Sequence, residues 1–180
     1  MGDVENAIIL VFNFASAHIA LTLASLSFYV INSSYMPPTC NGGSFLRAFD
    51  YVTKAGGITY DSAYPYNTTV LQCDITKKDY AVTVASWNRV QGQQAMIDYV
   101  LDGGTLGVVV DSSSMGLYTS GIFSFCEETV VDHAVQIVGV NVDEGYWIIR
   151  NSWGTSWGEN GYMKLALVCS NPRITDASAK

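Results

Sequence analysis

The chain has 180 residues and a formal net charge of −7, and 49% of its residues are apolar whereas only 14% are charged. This composition excludes a disordered chain, which would be poorer in apolar and richer in charged residues. Nine Lys and Arg residues under a net negative charge also exclude the basic surface typical of nucleic-acid-binding proteins.

The apolar excess is concentrated near the N-terminus, where residues 7–31 form a run of 25 residues without a charge. Such a run is long enough to span a bilayer. A signal peptide would have a positive leader, whereas Asp3 and Glu5 precede this run. A membrane anchor would have basic flanks and fewer polar residues than Asn13 and His18. Because a buried helix is apolar on all sides, we favour that interpretation, with membrane association through 7–31 as the alternative.

The elements predicted downstream are helical first and then β. Apolar side chains at helical spacing predict a helix over residues 44–54, which a glycine pair ends. A strand is predicted over 82–84 and a second helix over 93–101. Short β-rich runs with tight turns then predict an antiparallel barrel or sandwich. These runs cover residues 106–110, 121–125, 134–140, 146–150 and 161–167.

The two histidines differ in their sequence context. His18 lies in the apolar run and is interpreted as a structural residue. His133 opens a predicted strand at a barrel rim, where an imidazole can move protons near neutral pH. Asn151 follows another predicted strand, and its amide can accept a hydrogen bond from an imidazole N–H and fix the tautomer. Trp153 can cover that bond; a β-turn with structural aromatic residues is the alternative interpretation.

Several motifs occur together in one order along the chain. In order and spacing they resemble the papain-like cysteine peptidases over residues 40–170. The motifs are Cys-Asn-Gly-Gly at 40–43, Tyr-Pro-Tyr at 64–66, Val-Asp-His-Ala-Val at 131–135, Asn-Ser-Trp-Gly at 151–154 and Trp-Gly-Glu-Asn-Gly-Tyr at 157–162.

The resemblance implies an α+β fold of the papain type. Residues 101–180 would form the right antiparallel β-barrel domain, which carries the histidine and the asparagine. Residues 36–100 would form the remainder of an incomplete helical left domain. Residues 1–35 would be a divergent or replaced N-terminus with the apolar helix.

The family's chemistry can be carried onto matching residues. In that family a His activates a cysteine thiol and an Asn orients the His, and His133 and Asn151 match those positions. Trp153 matches the tryptophan that shields the pair. The resemblance thus implies a monomeric peptidase for extended peptide or protein substrates, with no cofactor. The Cys and His spacing does not form a zinc site.

The resemblance also implies a substrate cleft. Gly43 matches the glycine whose backbone pairs with an extended peptide. The main specificity pocket would be largely apolar and would prefer an apolar or aromatic side chain. For two of its residues, Val109 and Ala134, ordinary core packing is the alternative. The expected lining residues are Ser44, Phe45, Val109, Val131 and Ala134.

The family's nucleophile motif, Gln…Cys-Gly-Ser-Cys-Trp-Ala-Phe, does not occur in this chain. The nearest match is at residues 11–16, which places Val11 at the nucleophile and Glu5 near the glutamine that helps to hold the oxyanion. An isopropyl group cannot attack a carbonyl, and loss of a triad nucleophile can cost on the order of a millionfold in turnover. Cys40 matches a disulfide position rather than the nucleophile. We therefore expect a cysteine peptidase by descent that is inactive as this chain.

The cysteines and the sequons indicate a compartment. Cys126 and Cys169 match two family positions that pair with each other. Cys40 and Cys73 match positions whose upstream partners do not occur in this sequence, so they are either unpaired or paired with each other. Disulfides are typical of the secretory route, which predicts a lysosomal or secreted protein. Glycosylation sequons at 32–34 and 67–69 favour the same compartment.

Three alternatives to an inactive peptidase remain from the sequence. The chain could be a pseudopeptidase that binds peptides in the retained half-cleft without cutting them. It could be a membrane-anchored interaction protein that uses residues 7–31. It could also be a fragment or a faulty gene model of an active peptidase.

Overall fold

The structure is a computed structural model that describes residues 9–10, 45–59, 80–82, 86–125 and 131–170. The chain divides into two compact units. The helical unit is Val11–Trp87, and the β unit consists of Met1–Leu10 and Asn88–Lys180. Each unit is described by itself below.

The first described element is a short strand, β1 (Ile9–Leu10). The sequence predicts a helix over 7–31, and at these two residues that prediction is wrong. The neighbouring residues are rich in β-branched side chains, which lose rotamer freedom in a helix and fit a pleated strand. The rest of the run lies outside the described residues, so its helix and its membrane association stay predictions. Among the described helices, none is long and apolar enough to cross a membrane.

In the helical unit the main described element is helix α1 (Phe45–Ala55), within one residue of its predicted bounds. It buries Phe49 and Val52, which lie three positions apart on one face. Gly56 ends the helix at a φ of 93°, and its N–H donates to the Val52 carbonyl at 3.0 Å. Strand β2 (Ile58–Thr59) pairs antiparallel with strand β3 (Tyr80–Val82). Of the strand predicted over 82–84, residues 83 and 84 lie outside the described residues.

The β unit contains the larger sheet. The elements after β4 (Trp87–Asn88) are helix α2 (Gln93–Leu101), β5 (Leu106–Val110), a 3-10 turn (Met115–Leu117), β6 (Ile122–Phe123), β7 (His133–Asn141), β8 (Tyr146–Arg150), β9 (Tyr162–Ala166) and a 3-10 turn (Leu167–Ser170). The five strands of the larger sheet lie in the order β5-β7-β8-β9-β6, antiparallel except for the parallel pair β6–β9. Among the described residues the edge strands β5 and β6 do not pair with each other.

The core of the β unit is the buried face of this sheet. Alternate residues of paired strands point to one side, so Val108 and Val135, which are paired, are both fully buried. Helix α2 packs against β7 and buries Met96 and Val100. The main segment of the β unit therefore begins at Asn88, whereas the predicted boundary is residue 101, and the difference includes helix α2, which packs against β7.

Strand β7 begins where β8 ends, at one end of the sheet. The register pairs Gln136 with Arg150, and the two chains run antiparallel. Residues just before Gln136 and just after Arg150 therefore come together. This register alone brings His133 and Asn151, 18 positions apart in sequence, to the same end of the sheet.

Burial of the sheet face predicts that substitution by alanine lowers the free energy of unfolding much more at Val108 than at Val142. Replacing Val108, which is fully buried, by Ala should lower the free energy of unfolding by about 2 kcal/mol, since two methyl groups leave the core and a cavity remains. The same change at Val142, which is 49% exposed, should alter it by less than about 0.5 kcal/mol. Urea unfolding of the two variants tests this; equal effects would contradict the described core.

Candidate active site

The ring of His133 is hydrogen-bonded to the side chain of Asn151. The distance from Nε2 of the ring to Oδ1 of the amide is 2.8 Å. Each residue lies at an end of a strand, one opening β7 and the other following β8, so the sheet sets the position of both. Both residues are half-buried. The structure thus brings together the two residues that the sequence predicts as a catalytic pair.

A second contact fixes the direction of this hydrogen bond. The backbone N–H of Ser152 donates to the same Oδ1 of Asn151, at 2.7 Å. A backbone N–H can only donate, so the shared atom must be the amide oxygen. The His133 Nε2 must then be the donor, which leaves Nδ1 of the neutral ring with a free lone pair. No described residue hydrogen-bonds to Nδ1, so this nitrogen can accept a proton from a group placed beside it.

The amide nitrogen of Asn151 is buried and has no hydrogen-bond partner among the described residues. Its oxygen, by contrast, accepts two hydrogen bonds. The side chain therefore acts through its acceptor, as an orienting group for the imidazole requires.

Two tryptophans cover the histidine. The ring of Trp153 stacks on the ring of His133 with centroids 4.9 Å apart and planes 24° apart. Trp157 meets Trp153 edge to face, at 5.2 Å and 83°. Trp153 is 39% exposed, so one side of it contacts the imidazole and part of it faces solvent. The predicted covering role of Trp153 is consistent with this stack, and Trp157 is an additional aromatic contact that the sequence analysis missed.

The carboxylate of Glu159, two positions after Trp157, forms several polar contacts. The Glu159 carboxylate accepts hydrogen bonds from the Gly121 N–H at 2.8 Å and the Tyr118 hydroxyl at 3.1 Å. It also forms an ion pair with Lys164 at 3.3 Å. These contacts, above all the Gly121 N–H, hold the pKa of Glu159 below its ordinary value of 4.5. The spacing of Trp157 and Glu159 in the Trp-Gly-Glu motif was the available signal, but the sequence does not show what they contact.

The pKa values of the neighbours of Glu159 shift in the opposite direction. Burial raises the pKa of the Tyr118 hydroxyl above 10.0. The hydrogen bond and the charge of Glu159 raise the pKa of Lys164 above 10.5. The ion pair and the neutral phenol therefore both persist at neutral pH.

The residues predicted to line the specificity pocket are only partly described. Val109 and Ala134 are directly paired across β5 and β7, on the face opposite the buried Val108 and Val135. Ala134 is exposed and Val109 half-buried, so neither side chain is fully buried in the core. Val131 is 36% exposed, just before β7. Of the other three, Gly43 and Ser44 lie outside the described residues, and only the backbone of Phe45 is described.

Two further site predictions concern cysteines and metals. Cys169 is buried and disulfide-bonded, while Cys40, Cys73 and Cys126 lie outside the described residues. The pairing of Cys126 with Cys169 therefore stays a prediction. Within the described part of the chain, no group of three or more His, Cys, Asp or Glu residues could hold a metal ion.

Comparison with known proteins decides the family of the chain. A family profile described as papain family cysteine protease matches residues 21–177. The chain belongs to the papain family of cysteine proteases. The matched segment includes His133, Asn151 and Trp153, but it begins after Glu5 and Val11.

Two individual relatives agree with this membership. Cathepsin L of Sarcophaga peregrina is 32% identical over 163 residues, which are 86% of this chain and 48% of that protein. The viral cathepsin of Adoxophyes honmai nucleopolyhedrovirus is 35% identical over 130 residues, which are 70% of this chain and 39% of that protein. The chain thus spans less than half the length of these two relatives.

The fold is confirmed by a solved structure. A cysteine protease from Carica candamarcensis, in complex with E-64, has a TM-score of 0.72 at 29% identity, with 84% of this chain and 76% of that chain covered. The predicted α+β papain-like fold is therefore correct, and the sheet is mainly antiparallel, as expected.

The shared amide oxygen predicts one tautomer for His133. At a pH where the ring is neutral, ¹⁵N NMR should show the proton on Nε2, because Asn151 Oδ1 can only accept. Replacing Asn151 by Ala removes the acceptor and should lower the Nε2–H population, whereas Asn141→Ala, at the far end of β7, should not. A ring protonated mainly on Nδ1 in the parent would contradict the described hydrogen bond.

The lowered pKa of Glu159 predicts a pH-dependent contribution to stability. A carboxyl group whose folded pKa lies below its unfolded value stabilises the fold above the unfolded pKa, and the contribution is lost as pH falls through the folded pKa. The parent should therefore have a higher Tm than Glu159→Gln at pH 7, and the difference should shrink as the pH falls below 4.5. A Tm difference that stays constant from pH 7 to the acid range would contradict the prediction.

Proposed function

We propose that this chain is a cysteine peptidase by descent in which the base and its orienting group are retained but the nucleophile is not. The observation that supports this most directly is the 2.8 Å contact from His133 Nε2 to Asn151 Oδ1, which leaves Nδ1 without a hydrogen-bond partner among the described residues. A thiol next to Nδ1 would give its proton to the ring and become the thiolate that attacks a carbonyl. In the proposed sequence alignment Val11 matches the nucleophile, and its isopropyl group has no proton to give.

The covered histidine supports a preserved rather than an eroded site. The stack on Trp153 covers one face of the ring, and a partly buried hydrogen bond to Asn151 holds its plane. Proton transfer from a thiol to this imidazole would give an imidazolium, and the Asn151 oxygen would stabilise the N–H that remains directed toward it. The stack on Trp153 and the hydrogen bond to Asn151 do not depend on the missing thiol.

We propose that the substrate-binding surface accepts an extended peptide with an apolar or aromatic side chain. Val109 and Ala134 support this, because they form an apolar pair on the face of the sheet opposite the buried Val108 and Val135, and Ala134 directly follows His133 in sequence. Val131, three positions before Ala134, adds a third partly exposed apolar side chain. Gly43, Ser44 and Phe45 would provide the remainder of the surface, from residues whose side chains the structure does not describe.

The same pair supports a second candidate function, peptide binding without cleavage. An exposed alanine and a half-buried valine are available to a ligand, and neither depends on a nucleophile. A retained surface with no thiol is what a peptide-binding pseudopeptidase would need. We propose that either form acts as a monomer.

We propose a lysosomal or secreted location for the protein. The disulfide at Cys169 supports it, since disulfides persist in oxidising compartments and are rare in the cytosol. The predicted pairing with Cys126 belongs to this proposal. Peptide mapping of the non-reduced protein by mass spectrometry would identify the partner of Cys169.

Restoring the thiol tests the proposed function. Val11→Cys should gain hydrolysis of a fluorogenic dipeptide amide, and E-64 should abolish that gain. Because a triad acts as a unit, Val11→Cys combined with His133→Ala should return to the background rate. Ala15→Cys, which places a thiol in the same apolar run but away from the aligned position, is the matched control and should stay at background.

The outcomes separate the two candidate functions. Hydrolysis by Val11→Cys that requires His133 supports the retained base and the alignment. Peptide binding by the parent, measured by calorimetry and lost in Ala134→Glu, supports the pseudopeptidase. Hydrolysis by the unmodified parent would contradict the proposed inactivity.

A further inference from the structure

A continuous series of contacts connects the ring of His133 to the carboxylate of Glu159. We propose that Tyr118 and Glu159 are positioning residues, which act through Trp157 and Trp153 to hold the plane of the His133 ring. The inference rests on the proposed function in one respect, namely that the orientation of His133 matters for chemistry. Neither residue touches the histidine, so neither is catalytic.

Trp153 is the aromatic ring in direct contact with His133, and it has a second aromatic contact that can set its tilt. It lies in the irregular segment after β8 and is 39% exposed. One face stacks on the imidazole, and the only other described aromatic contact is the edge-to-face contact with Trp157, at 5.2 Å and 83°. This geometry is the preferred one for an aromatic pair, and it sets the tilt of the Trp153 ring.

Trp157 has two contacts with the segment from Met115 to Tyr118. Its indole Nε1–H donates to the Met115 carbonyl at 3.1 Å. Its ring also packs on the ring of Tyr118, with centroids 5.6 Å apart. The segment from Met115 to Tyr118 therefore holds Trp157, although Tyr118 and Trp157 are 39 positions apart in sequence.

The hydroxyl of Tyr118 has three polar contacts. It lies 2.7 Å from the Gly121 carbonyl and 3.1 Å from Glu159 Oε1, and it accepts the Lys164 backbone N–H at 3.2 Å. A phenol has one proton, so it can donate fully to only one of the two oxygens. The carboxylate is fixed independently, by the Gly121 N–H at 2.8 Å and by the Lys164 ammonium at 3.3 Å. Glu159 and Tyr118 thus tie residues 118–121 to strand β9.

The backbone at Gly158 lies close to the Tyr118 ring. A Cβ at this position would lie 2.6 Å from the Tyr162 carbonyl oxygen and 3.1 Å from Cδ1 of Tyr118, and the residue has a φ of 55°. The Tyr118 ring therefore packs directly on the backbone between Trp157 and Glu159. A shift of the Tyr118 ring would therefore also displace Trp157, because close-packed protein interiors have few voids that could absorb the movement.

The test must separate positioning of His133 from general support of the fold. His133 ring protons lie against the face of Trp153, so their NMR shifts contain a ring-current contribution that depends on the tilt of the indole. Because the chain has two histidines, His18→Gln assigns the His133 signals. Trp157→Leu calibrates the direction of the shift when the edge contact is lost.

Glu159→Ala and Tyr118→Phe should move the His133 ring signals in the same direction as Trp157→Leu. Glu159→Gln keeps an acceptor oxygen for the Gly121 N–H and should restore most of the parental shift. Glu144→Ala is the matched control, because Glu144 is another hydrogen-bonded carboxylate of the β unit, and its Oε1 accepts from Asn141 Nδ2 at 2.8 Å in the turn after β7. It should leave the His133 signals unchanged.

The inference is overturned if Glu159→Ala and Tyr118→Phe move the Gly121 amide signal but leave the His133 ring signals at their parental positions. If Glu159→Ala does not fold, Tyr118→Phe, which keeps the ring and removes only the hydroxyl, decides the question alone. The result is independent of hydrolysis. Should Val11→Cys remain inactive while these variants move His133, the proposed function fails and the positioning role stands.

Discussion

The hydrogen bond from His133 Nε2–H to Asn151 Oδ1 is the interaction on which the account of this site depends. It fixes the tautomer, because the Ser152 N–H identifies the shared atom as an oxygen. The tautomer in turn determines which ring nitrogen is free to take a proton. Without this bond the imidazole could rotate, and neither the stack on Trp153 nor the free Nδ1 would define a base.

The sheet makes that bond possible by its register and not by any local motif. Strand β7 starts and strand β8 stops at the same end, and the buried pair of Val108 and Val135 locks the neighbouring strand in register. A slip of one residue would turn every side chain of β7 to the other face. The apolar core and the position of the His133–Asn151 pair therefore depend on the same strand register.

Much of this arrangement could be predicted from the sequence, and the exceptions have physical reasons. Strands β5 and β8 have their predicted bounds, since uninterrupted apolar runs between turn residues are strong strand signals. His133 and Asn151 were found because they lie in motifs. Helix α2 was predicted to belong to the helical domain, because periodicity identifies a helix but does not show which element it packs against. In the structure it packs against β7. At Ile9–Leu10, β-branched composition outweighed an apolar pattern that also fits a helix. The contacts of Tyr118 with Glu159, 41 residues apart, could not be read from either segment alone.

The central claim is that the base is retained while the thiol that it would activate is absent from this chain. Intact-mass measurement of the purified parent after incubation with E-64, an epoxide that alkylates an activated thiol, tests it most directly. The account predicts no adduct on any of the four cysteines, with Val11→Cys treated in parallel as the positive control. A stoichiometric adduct on a cysteine of the parent, abolished by His133→Ala, would contradict the account.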